Sequence, residues 1–254
     1  MQIKVLGCSG GIGGDMRTTS LLIDDDVLVD AGTGVGDLSF EALLKIDHIF
    51  VTHSHMDHIA SIPLLLDTSI GWREKAVTLH ATAEVIHILK QHIFNWLIWP
   101  DFSQIPDAAN PFLIYNEITL GQSVSINHKT ITALPANHTV PAVGYQIDSG
   151  ARSLVFTGDT AGSDAFWQQV NKINNLKYLI IETAFSNADA ELAVLSKHLC
   201  PNTLADELAQ CQSQPQTFIT HLKPGEDVKI MQEIATNPKT QHCQALRNQQ
   251  LFDL

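Results

Sequence analysis

Three histidines and an aspartate fall within six consecutive positions, His53-Ser54-His55-Met56-Asp57-His58, directly after the apolar stretch Ile49-Phe50-Val51. No other feature restricts the chain so much. A short run of β-branched and aromatic residues reads as a buried strand. Imidazoles packed beside a carboxylate read as metal ligands. At the strand's end the backbone turns, so His53 and His55 can converge on one ion. Asp57 and His58, one short turn later, can face a second. With no thiolate in the set, imidazole and carboxylate suit zinc, iron or manganese. The plainer alternative is a histidine-rich surface tract, but histidines this dense around an acid seldom have a purely structural task.

Two metals need more than four ligands, and three further residues fit, each after an apolar run. His138 follows Thr130–Leu134, Asp159 follows Ser153–Phe156 with Gly158 freeing the backbone, and His221 follows Phe218–Thr220. Ligands placed repeatedly at strand ends are how an open α/β sheet gathers a site along one edge. Other runs of strand character are Ile3–Leu6, Leu21–Ile23, Val27–Val29, Val77–His80, Ser123–Ile126, Ala142–Ile147 and Tyr178–Ile181. Helical spacing predicts helices over Thr82–Trp96, Ser163–Val170 (with Ser163 as N-cap), Asp189–Leu199, Pro201–Gln210 and Glu226–Ala235. Strand-rich halves that each close with helices suggest two packed sheets with helices outside. Between Phe94 and Tyr115 six aromatics crowd among helix breakers. This segment is a flap over the core, a contact for a homodimer, or an aromatic wall for a substrate ring.

Composition narrows the partners. With 27 acidic residues against 15 basic ones, the net charge of −12 argues against a nucleic-acid polymer, which needs clustered lysine and arginine. It leaves room for one small phosphorylated ligand. Cys8, Cys200, Cys211 and Cys243 are scattered without a C-x-x-C pair; they read as reduced thiols in a cytoplasmic protein, with Cys8 and Cys211 buried. The strand at Met1–Leu6 leaves no room for a signal peptide, and no apolar run is long enough to span a membrane.

The order H-x-H-x-D-H, a distant His138, Gly158-Asp159-Thr160 and His221 resembles the metallo-β-lactamase superfamily from Val5 to about Gly225. Within it, Gly7–Gly11, Ile181–Asn187, Lys197–Leu199 and Thr220–Pro224 look most similar to the class II cyclic-nucleotide phosphodiesterases. The resemblance implies an α/β fold, a four-layer αβ/βα sandwich, with 1–254 forming a single pseudo-symmetric metallo-hydrolase domain. It implies that His53, His55 and His138 hold one divalent ion and Asp57, His58 and His221 the other, with Asp159 bridging. Zinc is the first expectation for both, manganese or iron the alternatives.

Two such ions acidify a shared water and neutralise phosphate oxygens, so the expected reaction is hydrolysis of a small phosphodiester, first among them 3′,5′-cyclic AMP. Asp57 is a candidate for orienting the nucleophile and His198 for protonating the leaving group, though a histidine on a helix face in a polar network reads equally well. Lys223 and Arg17 are candidate phosphate contacts whose plainer reading is solvated charge. Glu182 reads as a structural acid, and Asp30 as support for a ligand from behind. Gly7–Gly14 lacks the following helix of a phosphate-binding loop and reads as a flexible loop at the rim. Competing functions are a tRNA 3′-processing endonuclease, disfavoured by Ile181 where that family carries histidine before the glutamate, an ester or lactone hydrolase, and a metal-binding or redox protein without turnover.

Overall fold

The apolar runs are continuous because both faces of most strands are buried. Along Ile49-Phe50-Val51, residues 49 and 51 pack into one core and Phe50 into another. Leu154-Val155-Phe156 and Leu179-Ile180-Ile181 alternate in the same way between two cores. Period-two alternation with apolar residues on both sides is what a sheet covered on both faces requires.

The computed structural model describes residues 1–254. The first half supplies β1 (Gln2–Gly7), β2 (Ser20–Ile23), β3 (Val27–Val29), β4 (His48–Phe50) and β5 (Val77–Ala81); a small hairpin of β6 (Pro106–Asp107) and β7 (Asn110–Pro111) precedes β8 (Leu113–Glu117). The second half supplies β9 (Ser123–Ile126), β10 (Lys129–Pro135), β11 (Val143–Asp148), β12 (Ser153–Phe156), β13 (Leu176–Glu182), β14 (Gln216–Thr220) and β15 (Gln244–Ala245). The chain then returns as β16 (Leu251–Asp253) to the edge of the first sheet. The sheets run β16-β1-β2-β3-β4-β5-β8 and β15-β14-β13-β12-β11-β10-β9.

Helices α1 (Phe40–Leu43), α2 (Met56–Ile59), α3 (Ile62–Ser69) and α4 (Ala83–His92) lie in the first half, and α5 (Asp164–Val170), α6 (Ala190–Ser196), α7 (Pro201–Leu208) and α8 (Asp227–Thr236) in the second. One core lies between the sheets, joining Val29 and Phe50 to Tyr145, Phe156 and Phe218. The other two lie on the outer faces, where α3 and α4 cover the first sheet and α5, α7 and α8 the second. This is the four-layer αβ/βα sandwich. A buried tie crosses between the sheets, from the Tyr145 hydroxyl to the Val51 carbonyl at 2.8 Å.

Strand direction decides where chemistry collects. Strands β3, β4, β5 and β8 are mutually parallel. In the other sheet β10 and β12 are both antiparallel to β11, and β12, β13 and β14 are parallel. The residues following β3, β4, β10, β12, β13 and β14 are therefore delivered at strand ends of one sense, the arrangement that gathers a site.

Several elements depart from the sequence reading. The helix expected to reach Trp96 ends at His92, because the Asn95 carboxamide accepts from Leu97 N and Ile98 N and Trp96 turns left-handed at φ 64°. Strand β8 emerges from the aromatic segment. There Phe94, Phe102 and Phe112 fill the outer core, so the segment is a cover, while Trp96 is exposed. All four cysteines are free, but Cys200 and Cys243 are the buried pair, whereas Cys8 and Cys211 are half-buried: strand and loop edges leave them partly open.

Candidate metal centre

The loop after β4 brings His53 and His55 beside His138, which follows β10. His55 Nδ1 lies 3.1 Å from both His53 Nε2 and His138 Nε2. The opposite nitrogens explain how these rings are aimed. His138 Nδ1 can only donate to the Lys197 carbonyl, at 3.1 Å, which leaves a lone pair on Nε2. The Thr52 hydroxyl is 2.8 Å from Asp30 Oδ2, to which it can only donate, and so accepts from His53 Nδ1 at 3.0 Å. Lone pairs on two imidazoles thus point at a third ring nitrogen. Such a cluster is repulsive unless a cation or added protons sit within it.

Asp57 and His58 form the start of α2 and meet His221 from the end of β14. His58 Nδ1 donates to Asp30 Oδ2 at 2.7 Å, so its Nε2 is turned toward Asp159 Oδ2, 3.3 Å away. His221 Nδ1 lies 3.2 Å from Asp159 Oδ1. Both of these nitrogens, His58 Nε2 and His221 Nδ1, are buried without a hydrogen-bond partner. Asp57 Oδ2 is 3.8 Å from His58 Nε2 and the same from His221 Nε2, and it is the most open of the set at 26 % exposure. Within each of the two sets, His53, His55, His138, Asp159 and Asp57, His58, Asp159, His221, the ligand atoms lie within 4.8 Å of one another. Asp159 belongs to both.

Electrostatics fit a cationic occupant. Burial drives His53 well below its usual pKa, His138 down to about 4 and His221 down to about 3, so these rings stay neutral and keep lone pairs. Burial opposes ionisation of Asp159, yet His221 and His58 hold it well below the carboxylate range. His58 is pulled the other way: against burial, Asp159 and Asp30 hold its pKa well above normal. Two carboxylates thus favour positive charge at this ring. With orphaned buried nitrogens and converging lone pairs, the residues present fit divalent ions.

The backbone strains to build this site. Asp30 and His221 both adopt left-handed conformations, at φ 57° and 64°, unusual for residues other than glycine. The fully buried Asp30 accepts from Thr52 N, Thr52 Oγ1 and His58 Nδ1, so it orients ligands of both sets. Gly10 lies against His221: a Cβ there would fall 2.6 Å from the His221 carbonyl oxygen. The first part of the glycine-rich loop is therefore pinned, with Gly10 N donating to Leu222 O and Ser9 bridging to Leu222, while Ile12, Gly13 and Gly14 are exposed.

Beside these rings stands His198, just past α6. Its Nδ1 donates to Glu182 Oε1 at 2.8 Å, while its ring stacks on His221 at 5.1 Å and meets His138 edge-on at 4.9 Å. Burial works against its protonation, but the Glu182 contact prevails and raises its pKa. Glu182, fully buried at the end of β13, also accepts from Thr160 N and Leu199 N. It is thus an orienting partner of His198, a role that a lone acid at a strand end did not disclose in the sequence. Lys223 Nζ donates to Gly10 O at 2.9 Å and lies 3.4 Å from His221 Nε2. Arg17 stays apart, with its Nε donating to Asp37 at 2.9 Å and its Nη1 to the Gly14 carbonyl. The sequence reading assigned no role of its own to Lys197, whose Nζ donates to the His138 carbonyl at 3.0 Å while its own carbonyl accepts from that ring.

Fold and site together define a metal-dependent hydrolase, and the chain belongs to the β-lactamase superfamily, whose domain model matches residues 26–239. Among its relatives, a probable 3′,5′-cyclic-nucleotide phosphodiesterase of Yersinia pestis is 26 % identical over 90 % of this chain and 81 % of its own length. Ribonuclease Z of Haloarcula marismortui is 32 % identical, over 63 % of this chain and 51 % of that protein. In structure the chain resembles unliganded yeast PDE1, with a TM-score of 0.83 and 17 % identity over 100 % of this chain and 99 % of the other. It also resembles the metallo-β-lactamase fold protein YhfI of Bacillus subtilis, with a TM-score of 0.78 and 19 % identity over 99 % of each.

Proposed function

We propose that this protein hydrolyses a small phosphodiester, with a 3′,5′-cyclic nucleotide such as cyclic AMP as substrate and the 5′-monophosphate as product. The observation that carries the reading is the His198–Glu182 pair standing beside two ligand sets that share Asp159. Divalent ions there, zinc first among them, would supply Lewis acidity toward phosphate oxygens and a nucleophilic water at neutral pH. His53, His55 and His138 would hold one ion and Asp57, His58 and His221 the other, with Asp159 shared. Asp57, partly open to solvent, would orient the nucleophile. Lys223, whose Nζ lies 3.4 Å from His221 Nε2, would contact a phosphate oxygen.

His198 has the attributes of a general acid. Its Nδ1 proton is committed to Glu182, which leaves the opposite nitrogen for the leaving group, and the Glu182 contact raises its pKa, which favours a proton on that nitrogen. A ribose 3′ oxygen is a poor leaving group and needs that proton; p-nitrophenolate does not. Protein of measured metal content, assayed on cyclic nucleotides, an RNA 3′ trailer, a lactone and bis(p-nitrophenyl) phosphate, tests the reading. Cyclic AMP hydrolysis should dominate. In His198→Ala its kcat should fall by about 10²–10⁴, with a much smaller fall on the aryl diester. Preference for the RNA or the lactone, or equal losses on both diesters, would overturn it.

A further inference from the structure

Beside His138 a cavity of about 800 Å³ opens along the rim, walled by the segments that follow β5, β8 and β10. Its size falls in the range of about 300–1,000 Å³ usual for small-molecule sites. It borders the candidate metal centre, sharing with it His138, a member of the first ligand set. Ile118, Leu120, Val140 and Pro141 give it apolar surface on which a flat ring can lie. Its charged residues are Glu84, in the first turn of α4, and Glu117, at the end of β8; neither lysine nor arginine lines it. The acids that pair with cations are others, chiefly Asp24, Asp26, Asp37 and Asp47, so these two carboxylates border the cavity without a positive partner.

We infer that this cavity seats the heterocyclic base of the substrate and selects bases that carry an exocyclic amine. The inference rests on the nucleotide reading above, since the phosphate must lie at the metal centre for the base to reach past His138. Apolar walls beside acceptor-only carboxylates suit a ring that donates hydrogen bonds. A ring edge bearing a carbonyl in the same place would set two acceptors against each other, so these exposed carboxylates would have to keep their water instead of bonding the base. An additional phosphate would fare worse, facing two negative charges with neither lysine nor arginine in the lining. The cavity therefore favours adenine, cytosine and guanine over uracil, and its lining offers no cationic track for the next phosphate of an RNA strand.

Cyclic CMP and cyclic UMP make the sharpest comparison, because their rings have one size and differ in amine against carbonyl at the same carbon. The metal-loaded enzyme should favour cyclic CMP in kcat/KM by about tenfold. In the double variant E84Q/E117Q, whose amides both donate and accept, the preference should fall to about twofold or less. Bis(p-nitrophenyl) phosphate, which carries no base, reports the condition of the metal centre in each protein. A wild type that shows no preference, or a preference that survives in E84Q/E117Q, overturns the inference and leaves the cyclic-nucleotide reading standing. A wild type that cleaves the aryl diester but no cyclic nucleotide overturns both.

Discussion

Asp30 shows how a residue that touches no substrate can govern the candidate site. It is fully buried, left-handed at φ 57°, and its two oxygens take three hydrogen bonds, one of them from His58. Asp30→Asn keeps the size and the tolerance of left-handed backbone but exchanges one acceptor oxygen for a donor. Metal affinity in that variant should weaken by about 10–100-fold, read by competition with a coloured chelator, while the circular dichroism spectrum stays native. An unchanged affinity would mean that Asp30 serves only the fold. At this scale the sequence was most legible where chemistry is concentrated: His53–His58, His138, Asp159 and His221 all announce themselves by residue type after an apolar run. It was least legible where chemistry is borrowed. Glu182 and Lys197 act on His198 and His138 through contacts separated by 16 and 59 positions, and no local pattern encodes these.

At the scale of elements, the second sheet was the easier to read. Strands β9 and β12 match their apolar runs residue for residue, because their period-two pattern meets no competing signal. Helices α2 and α3 escaped because each is short, α2 lying within the ligand run itself and α3 just after it, with Pro63 in the first turn of α3 the one sign of a start. Strand β8 escaped because the neighbouring aromatics and prolines masked it. The glycine-rich loop was taken for slack; Gly7, Gly10 and Gly11 answer instead to close approach, while Gly13 and Gly14 have open space around them. Gly10→Ala would push a methyl group to 2.8 Å from His221 Cδ2 as well as against its carbonyl. This overpacking should lower stability by about 1–3 kcal/mol and reduce metal content, measured by urea unfolding and by elemental analysis. Retention of full metal content would show that the loop yields and His221 does not.

For the molecule as a whole, the core between the sheets carries a pH dependence of its own. His80 stacks on Phe50 at 4.2 Å, accepts from Asn116 at Nδ1 and so donates to His48 Nδ1. Burial, then the neighbouring His48, lowers its pKa from 6.5 to about 4. Between those values the unfolded chain binds the proton more readily, so the stability His80 contributes is present above pH 6.5 and is lost as pH falls toward 4. Between pH 7 and pH 5 the stability advantage of wild type over His80→Gln should shrink by about 2 kcal/mol, measured by urea unfolding of metal-free protein. A constant difference would mean that His80 ionises normally in the fold.

Each ligand set draws two residues from one half of the chain and two from the other: His53 and His55 with His138 and Asp159, Asp57 and His58 with Asp159 and His221. An ion in either set is then a rivet as well as a reagent, since it closes a loop through both sheets without a covalent bond. The loaded and stripped proteins should therefore differ mechanically as well as chemically. Stripping the metal should speed amide exchange at residues 136–142 and 221–226 while leaving β12 and β13 protected, so that the rim opens like an unclasped hinge around an intact spine.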